Sequence, residues 1–140
     1  MDIVYMPGCF DLLHVGHVRA IQRAANLGDW LIIGVPSDET VCEDKGSPPI
    51  ISLNERIEML KSLRAVDAVA PYFTLDFIPH LKNFQPSVLA VGSTWGTCSR
   101  HLAAEEWVRN NNARMVKIEY FTGESTTKIK QRVIQQWQHQ

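Results

Sequence analysis

Cysteine is scarce here, and what there is does not pair. The three residues, Cys9, Cys42 and Cys98, lie far apart and are odd in number. That excludes a disulfide framework and a CxxC metal pair, and reduced thiols in a cytoplasm are the expectation. Long apolar runs are also missing, since none approaches the ~20 residues of a membrane span. The opening MDIVYMPG lacks a basic flank and a long apolar stretch, so it reads as a strand and not as a secretory signal. Charge of one sign is lacking too. A net charge of −1 argues against a general nucleic-acid binder. It leaves room for a small anionic ligand held by a few local cations. There is no internal repeat, low-complexity segment or linker. What remains is 140 residues, 45% apolar and 21% charged. That is the make-up of an ordinary soluble globule with one core, and residues 1–140 are expected to form one domain.

Strand and helix patterns alternate along the chain. Residues 2–6 are a short apolar run, and 17–27 carry Val18, Ile21 and Ala25 at helical spacing, with Gly28 as a helix stop. The continuously apolar 30–35 suits a strand covered on both faces. Residues 36–50 are polar and contain Gly46, Pro48 and Pro49, which predicts a mobile loop with a short helical turn at its front. Ser52 and Glu55 have capping-box spacing and open a helix to about Leu63, with Ile57, Leu60 and Leu63 inward. Strands are expected at 67–71, 87–92 and 114–121. A weak helix interrupted by Pro79 falls in 75–84, and a helix with a fraying asparagine end in 101–112. The last helix, 125–137, places Ile129, Val133, Ile134 and Trp137 on one stripe. Five apolar strands separated by helices imply an α/β fold, a five-stranded parallel sheet with helices on both faces. Ligands bind such sheets at the carboxyl ends of the strands, near the switch in strand order.

PGCFDLLHVGH, residues 7–17, sits at such an end and runs into the first long helix. A helix N-terminus offers unpaired amides and partial positive charge, and so attracts phosphate. Gly8 and Gly16 let backbone approach a ligand closely. His14 and His17 flank the helix entrance, where imidazoles can donate to phosphate oxygens whose charge grows in a transition state. The pair also fits packing, or a metal site, although no further Cys, His or acid stands at a convincing ligand spacing. On this stretch alone all three readings stay open.

Three motifs in order carry a resemblance. GCFDLLHVGH resembles the HxGH signature of the nucleotidyltransferase superfamily, the cytidylyltransferase-like α/β fold. NERIEMLKSLRAVDAV, 54–69, resembles that family's helix with one Arg early and a second in an R-x-V-D run. GESTTKIKQRV, 123–133, resembles its G-x-S-T-T-x-I element. By pattern the chain is most similar to the bacterial glycerol-3-phosphate cytidylyltransferases, and adenylyltransferases for heptose 1-phosphate and FMN are also similar. The resemblance implies a single Rossmann-like domain. It also implies nucleotidyl transfer from CTP, or alternatively ATP, to a phosphorylated alcohol, without a covalent enzyme intermediate. Catalysis is then positioning and charge neutralisation.

Residue by residue, the resemblance implies that His14 and His17 hold the triphosphate and that Gly8, Cys9 and Phe10 line it. Asp11 braces the loop. Lys45 closes over the phosphates, and Arg56 and Arg64 contact phosphate or brace a subunit interface. Ser125, Thr126 and Thr127 open the last helix, with phosphate contact expected of at least the first two beside a capping role. Gly92 and Trp95 are expected to bind the nucleotide, Trp95 by stacking near the base, although a core tryptophan is an equal alternative for it. Mg²⁺ arrives bound to the nucleotide, so no protein ligand cluster is expected. The expected partners are a nucleoside triphosphate, a small phosphorylated substrate and a second copy in a homodimer; neither nucleic acid nor membrane is expected. His80, His101 and His139 match no motif and read as ordinary.

The chain departs from the glycerol-phosphate pattern at two places. Tyr120 and Phe121 replace an Arg-Thr pair, and Ser93 and Thr94 replace an acidic pair before Trp95. Both departures bear on base and acceptor choice, not on phosphate handling. They also motivate a rival reading, a nucleotide-binding module without catalysis. A metal-binding structural protein is a further rival. A class I aminoacyl-tRNA synthetase is not expected, because the 140 residues are short for one, lack its lysine-rich motif and have no basic excess for tRNA.

Overall fold

The computed structural model describes residues 1–119 and 125–138. Its elements are β1 (Ile3–Pro7), α1 (Val15–Ala25), β2 (Trp30–Pro36), α2 (Asp38–Lys45), α3 (Leu53–Lys61), β3 (Ala68–Tyr72), α4 (Ile78–Phe84), β4 (Val88–Gly92), α5 (Ser99–Asn110), β5 (Arg114–Ile118) and α6 (Thr126–Gln138). The strands form one parallel sheet in the order β3-β2-β1-β4-β5. The order reverses between β1 and β4, so the switch point lies at the carboxyl end of β1.

Strand alternation divides the apolar residues between two faces. Val4 and Met6 of β1, Leu31, Ile33 and Val35 of β2, and Val88 and Ala90 of β4 pack with Ala20, Ile21 and Ala24 of α1 and Leu60 of α3. Tyr5, Ile32, Leu89 and Val91 face the other way, against Leu81 of α4 and Ala104 and Val108 of α5. Side chains that alternate along buried strands need cover on both sides, and the helices supply it. Tyr5 is fully buried, yet its hydroxyl pairs with His80 Nδ1 at 2.7 Å. That bond meets the requirement that a buried polar group find a partner. Burial keeps the Tyr5 phenol protonated by raising its pKa, and it lowers that of His80.

Several sequence expectations are corrected. The segment after β2 is not mainly loop, because α2 runs to Lys45. Ser37 caps it by accepting from the Thr40 amide at 3.1 Å, and Gly46, at φ 85°, ends it. Ser52 stands at the N-cap of α3, but its side chain makes no capping bond. That helix start is held instead by Asp11, which accepts from the Ile50 and Ile51 amides, and by Arg56, which donates to the Ile51 carbonyl. α1 begins at Val15, two residues ahead of the expected start, because His14 caps it. Pro79 falls in the first turn of α4, where a missing amide breaks nothing. The apolar stripe expected on α6 is present but largely uncovered: Val133 and Ile134 are more than half exposed and Trp137 is 76% exposed. Tyr120, Phe121 and His139 lie outside the described residues.

Candidate phosphate-binding site

The loop from β1 to α1 is built under constraint. Phe10 and Leu12 have φ of 53° and 50°, a left-handed backbone that non-glycine residues adopt at a cost. Phe10 is held there by burial, its ring edge-on to His17. Gly8 is required because a Cβ would come within 2.7 Å of the Phe10 ring. Asp11 is buried and fastens the loop. Its two carboxylate oxygens accept from the Ile50 and Ile51 amides at 2.8 and 2.9 Å, and Lys130 stands 3.8 Å away. The bracing role expected of Asp11 is therefore present in its hydrogen bonds.

His14 is the N-cap of α1. Its Nδ1 accepts from the Gly16 amide at 3.0 Å, and His17 Nδ1 accepts from the His14 amide at 3.2 Å. This is a capping box made of two imidazoles. An accepting Nδ1 leaves the ring proton on Nε2, so each ring offers a donor there. The rings lie 3.9 Å apart. Burial and the neighbouring His14 push the His17 pKa down to about 4, against an opposing pull from Asp11. Near neutral pH His17 is thus an uncharged donor.

His17 and the tail motif meet. One cavity of about 410 Å³ is lined by Gly8, Cys9, Phe10, Asp11 and His17 from the front of the chain. Lys45, Gly92, Thr94 and the run Ser125, Thr126, Thr127 and Lys130 complete it. His14, expected here too, lines neither large cavity; its ring lies 3.9 Å from that of His17. The tail hydroxyls also have structural partners. Ser125 Oγ accepts from the Lys128 amide at 3.1 Å, and Thr126 Oγ1 donates to the Asp11 carbonyl at 2.8 Å. The Thr126 proton is therefore spent on docking α6 to the loop. Cys9 is half-buried, and burial pushes its thiol pKa up, which suits an inert lining residue.

Three further expected residues also stand outside this cavity. Arg56 is buried beneath the loop and lines neither large cavity. Its guanidinium donates to the carbonyls of Ile51, Cys9 and Pro36 and to Asp38, at 2.8–3.0 Å. With those donors engaged it braces the loop, and it is not placed to bind substrate. Arg64 is exposed beyond α3 and also lines neither cavity. Trp95 does not share the cavity of His17. It lines a second one, of about 440 Å³, that opens off the first across Gly8, Cys9, Val41, Lys45, Gly92 and Thr94.

The second cavity holds residues that sequence reasoning missed. Trp95 stacks on His101 at 3.9 Å and donates through Nε1 to Glu105. Tyr72, Phe77, Asp44 and Arg100 complete that wall. His101, read as ordinary from sequence, is part of it, and burial lowers its pKa. Among the described residues no three His, Cys, Asp or Glu side chains cluster as a metal site. Asp11, the carboxylate in the first cavity, is already engaged by two amides. The residues here do not make a cation cradle.

In fold the chain is a Rossmann-like α/β domain with a cavity at its switch point. The model of the cytidylyltransferase-like family matches residues 5–132, and the chain belongs to that family. It is 33% identical to the bifunctional protein HldE of Syntrophotalea carbinolica over 97% of its own length and 28% of the relative's. It is 49% identical to the ethanolamine-phosphate cytidylyltransferase of Arabidopsis thaliana over 56% of its length and 19% of that protein. It is 35% identical to the FAD synthase of Thermococcus sibiricus over 94% of its length and 92% of that protein. The chain thus spans under a third of the HldE and ethanolamine-phosphate relatives.

Proposed function

We propose that this chain is a nucleotidyltransferase that converts CTP and a phosphorylated alcohol, such as glycerol 3-phosphate, to the CDP-alcohol and pyrophosphate. A phosphate oxygen of the acceptor attacks the α-phosphorus in line, the bond to the β-phosphate oxygen breaks, and pyrophosphate leaves. The observation that carries this reading is the shared cavity of His17 and residues 125–127. His14 and His17 donate to the triphosphate through Nε2, and Lys45 and Lys130 supply positive charge. Lys45 lines both cavities, so it is suited to meet the phosphates of both substrates. These groups stabilise the charge that gathers on the phosphate oxygens as the α-phosphorus is attacked. The magnesium ion belongs to the nucleotide substrate.

ATP in place of CTP, on a heptose phosphate or FMN, is the second reading. The likeness to HldE and to an FAD synthase over nearly the whole chain favours it. Pyrophosphate release with each nucleoside triphosphate and a panel of phosphate monoesters separates the two; turnover with ATP alone overturns the cytidine reading. Replacing His14 or His17 by alanine is expected to lower kcat by about 10²-fold or more with the fold intact. Normal turnover in both variants removes the proposed role. The family resemblance also supports a cytoplasmic homodimer, and a monomeric mass by light scattering contradicts the dimer. Among the described residues no helix is long and apolar enough to cross a membrane.

A further inference from the structure

The second cavity is laced by a contact between two helices. Val41, Asp44 and Lys45 of α2 form one part of its lining, and Trp95, Arg100 and His101 form another. Arg100 Nη2 donates to Asp44 Oδ1 at 2.7 Å and so ties α5 to α2. Both side chains are partly exposed, 27% for Arg100 and 35% for Asp44. The pair belongs at once to the lining and to the surface, which puts it at the rim of the cavity. α2 is anchored at its front, where Thr40 and Val41 are buried, and is exposed from Cys42 to its end. Packing thus fixes the end that carries Asp44 only weakly, and the contact with Arg100 holds it.

Neither charge suits its own helix. Asp44 stands in the last turn of α2, where the carbonyl end of the helix dipole repels an anion. Arg100 is the second residue of α5, where the amide end repels a cation. Arg100 Nε is also buried and, among the described residues, has no acceptor, which the closed geometry must bear. These three penalties make the closed pair marginal, and a partly exposed ion pair is weak to begin with. When it opens, both charges return to water and the Nε donor finds an acceptor there. We propose that the Asp44–Arg100 ion pair is an openable strap over the second cavity, and that entry to this cavity and release from it wait on the breaking of that one contact. The strap acts on whatever occupies the cavity, so it does not rest on the nucleotidyl-transfer reading.

Trp95 lines the second cavity and not the first, so it reports access to the strapped one. The test uses the full chain with Trp30, Trp107 and Trp137 replaced by phenylalanine, which leaves Trp95 as the sole emitter. Acrylamide is the quencher, because it is uncharged and no charge change steers it. Asp44→Asn and Arg100→Gln are each expected to raise the quenching constant about threefold, a size that a partly exposed ion pair supports. The unsubstituted pair is expected to show the same rise at about 1 M NaCl, where screening is short-ranged, and the two variants are not. Asp44→Arg combined with Arg100→Asp is expected to return the constant to its original value. That exchange also puts each charge at the helix end that favours it, so the chain is expected to melt above the native one. If the triple phenylalanine chain does not fold, solvent exchange of the Trp95 indole N–H, followed by NMR in the otherwise native chain, gives the same comparison. Access that is unchanged in either single variant, or that stays raised in the charge exchange, overturns the proposal. So does access in the native pair that ignores salt. A charge-exchanged chain that melts below the native one refutes the helix-end argument on which the strap's weakness rests.

Discussion

His17 is expected to hold a neutral imidazole well into acid, and this has a measurable consequence for stability. The side chain is 9% exposed, and its Nδ1 accepts from the His14 amide. A proton placed on Nδ1 sets two donors face to face and breaks the imidazole capping box. Burial, the His14 ring 3.9 Å away and nearby Lys45 all oppose the added charge, and only Asp11 favours it. The native pKa falls from 6.5 to about 4. The unfolded chain therefore takes up this proton as pH drops below 6.5, while the native chain does not until about 4. The unfolded state binds more protons throughout that window, so stability from this group is complete above it, declines across it and levels off below. Moving the pKa that far corresponds to about 3 kcal/mol. Urea unfolding at intervals from pH 8 to 4, native against His17→Asn, isolates the contribution, because asparagine can still accept from the His14 amide but does not titrate. The native chain is expected to lose about 3 kcal/mol more than the variant over the window. Equal pH slopes, or an NMR titration placing His17 near its ordinary value, refute the argument.

Three further outcomes follow from the same contacts. Lys45→Ala is expected to lower kcat/KM at least about tenfold while leaving the melting temperature unchanged, since its side chain is exposed at the end of α2 and stands at the proposed phosphates; a matching loss of stability in a thermal melt contradicts this. Arg56→Ala leaves three carbonyls and Asp38 without their donor, and is expected to cost about 3–5 kcal/mol in chemical denaturation. Lysine is not expected to rescue it, because one ammonium cannot span those acceptors. Asp11→Asn turns one of two accepting oxygens into a donor facing an amide, and is expected to cost about 1–3 kcal/mol and to weaken nucleotide binding in calorimetry.

The sheet was legible because each strand is an apolar run bounded by polar or breaking residues, and the parallel order follows from the intervening helices. α2 was not legible. Its sequence DETVCEDK has no apolar stripe, and the helix rests on the Ser37 cap and on burial of Thr40 and Val41 against the sheet. The α6 stripe was legible as a pattern, but a pattern does not identify what it packs on. The structure leaves Val133, Ile134 and Trp137 largely exposed.

At the site, sequence reasoning expected the His pair and the tail hydroxyls together because both open helices at strand ends near the switch point; His17 and residues 125–127 share a cavity, and His14 does not line it. It misplaced Arg56 for a physical reason. A charged residue on a capped helix looks like a ligand contact when the carbonyls of Cys9 and Pro36 that need its protons are 47 and 20 residues away. It did not foresee the Asp44–Arg100 ion pair, because its partners are 56 residues apart and neither belongs to a motif. The same long-range geometry gives the tail motif a second role. Thr126 donates to the Asp11 carbonyl, and Asp11 in turn holds the Ile50 and Ile51 amides ahead of α3. The hydroxyl at the start of α6, the strained β1–α1 loop and the segment carrying Arg56 are thus joined by hydrogen bonds. A change at Thr126 acts on the histidines through that loop as well as through any phosphate.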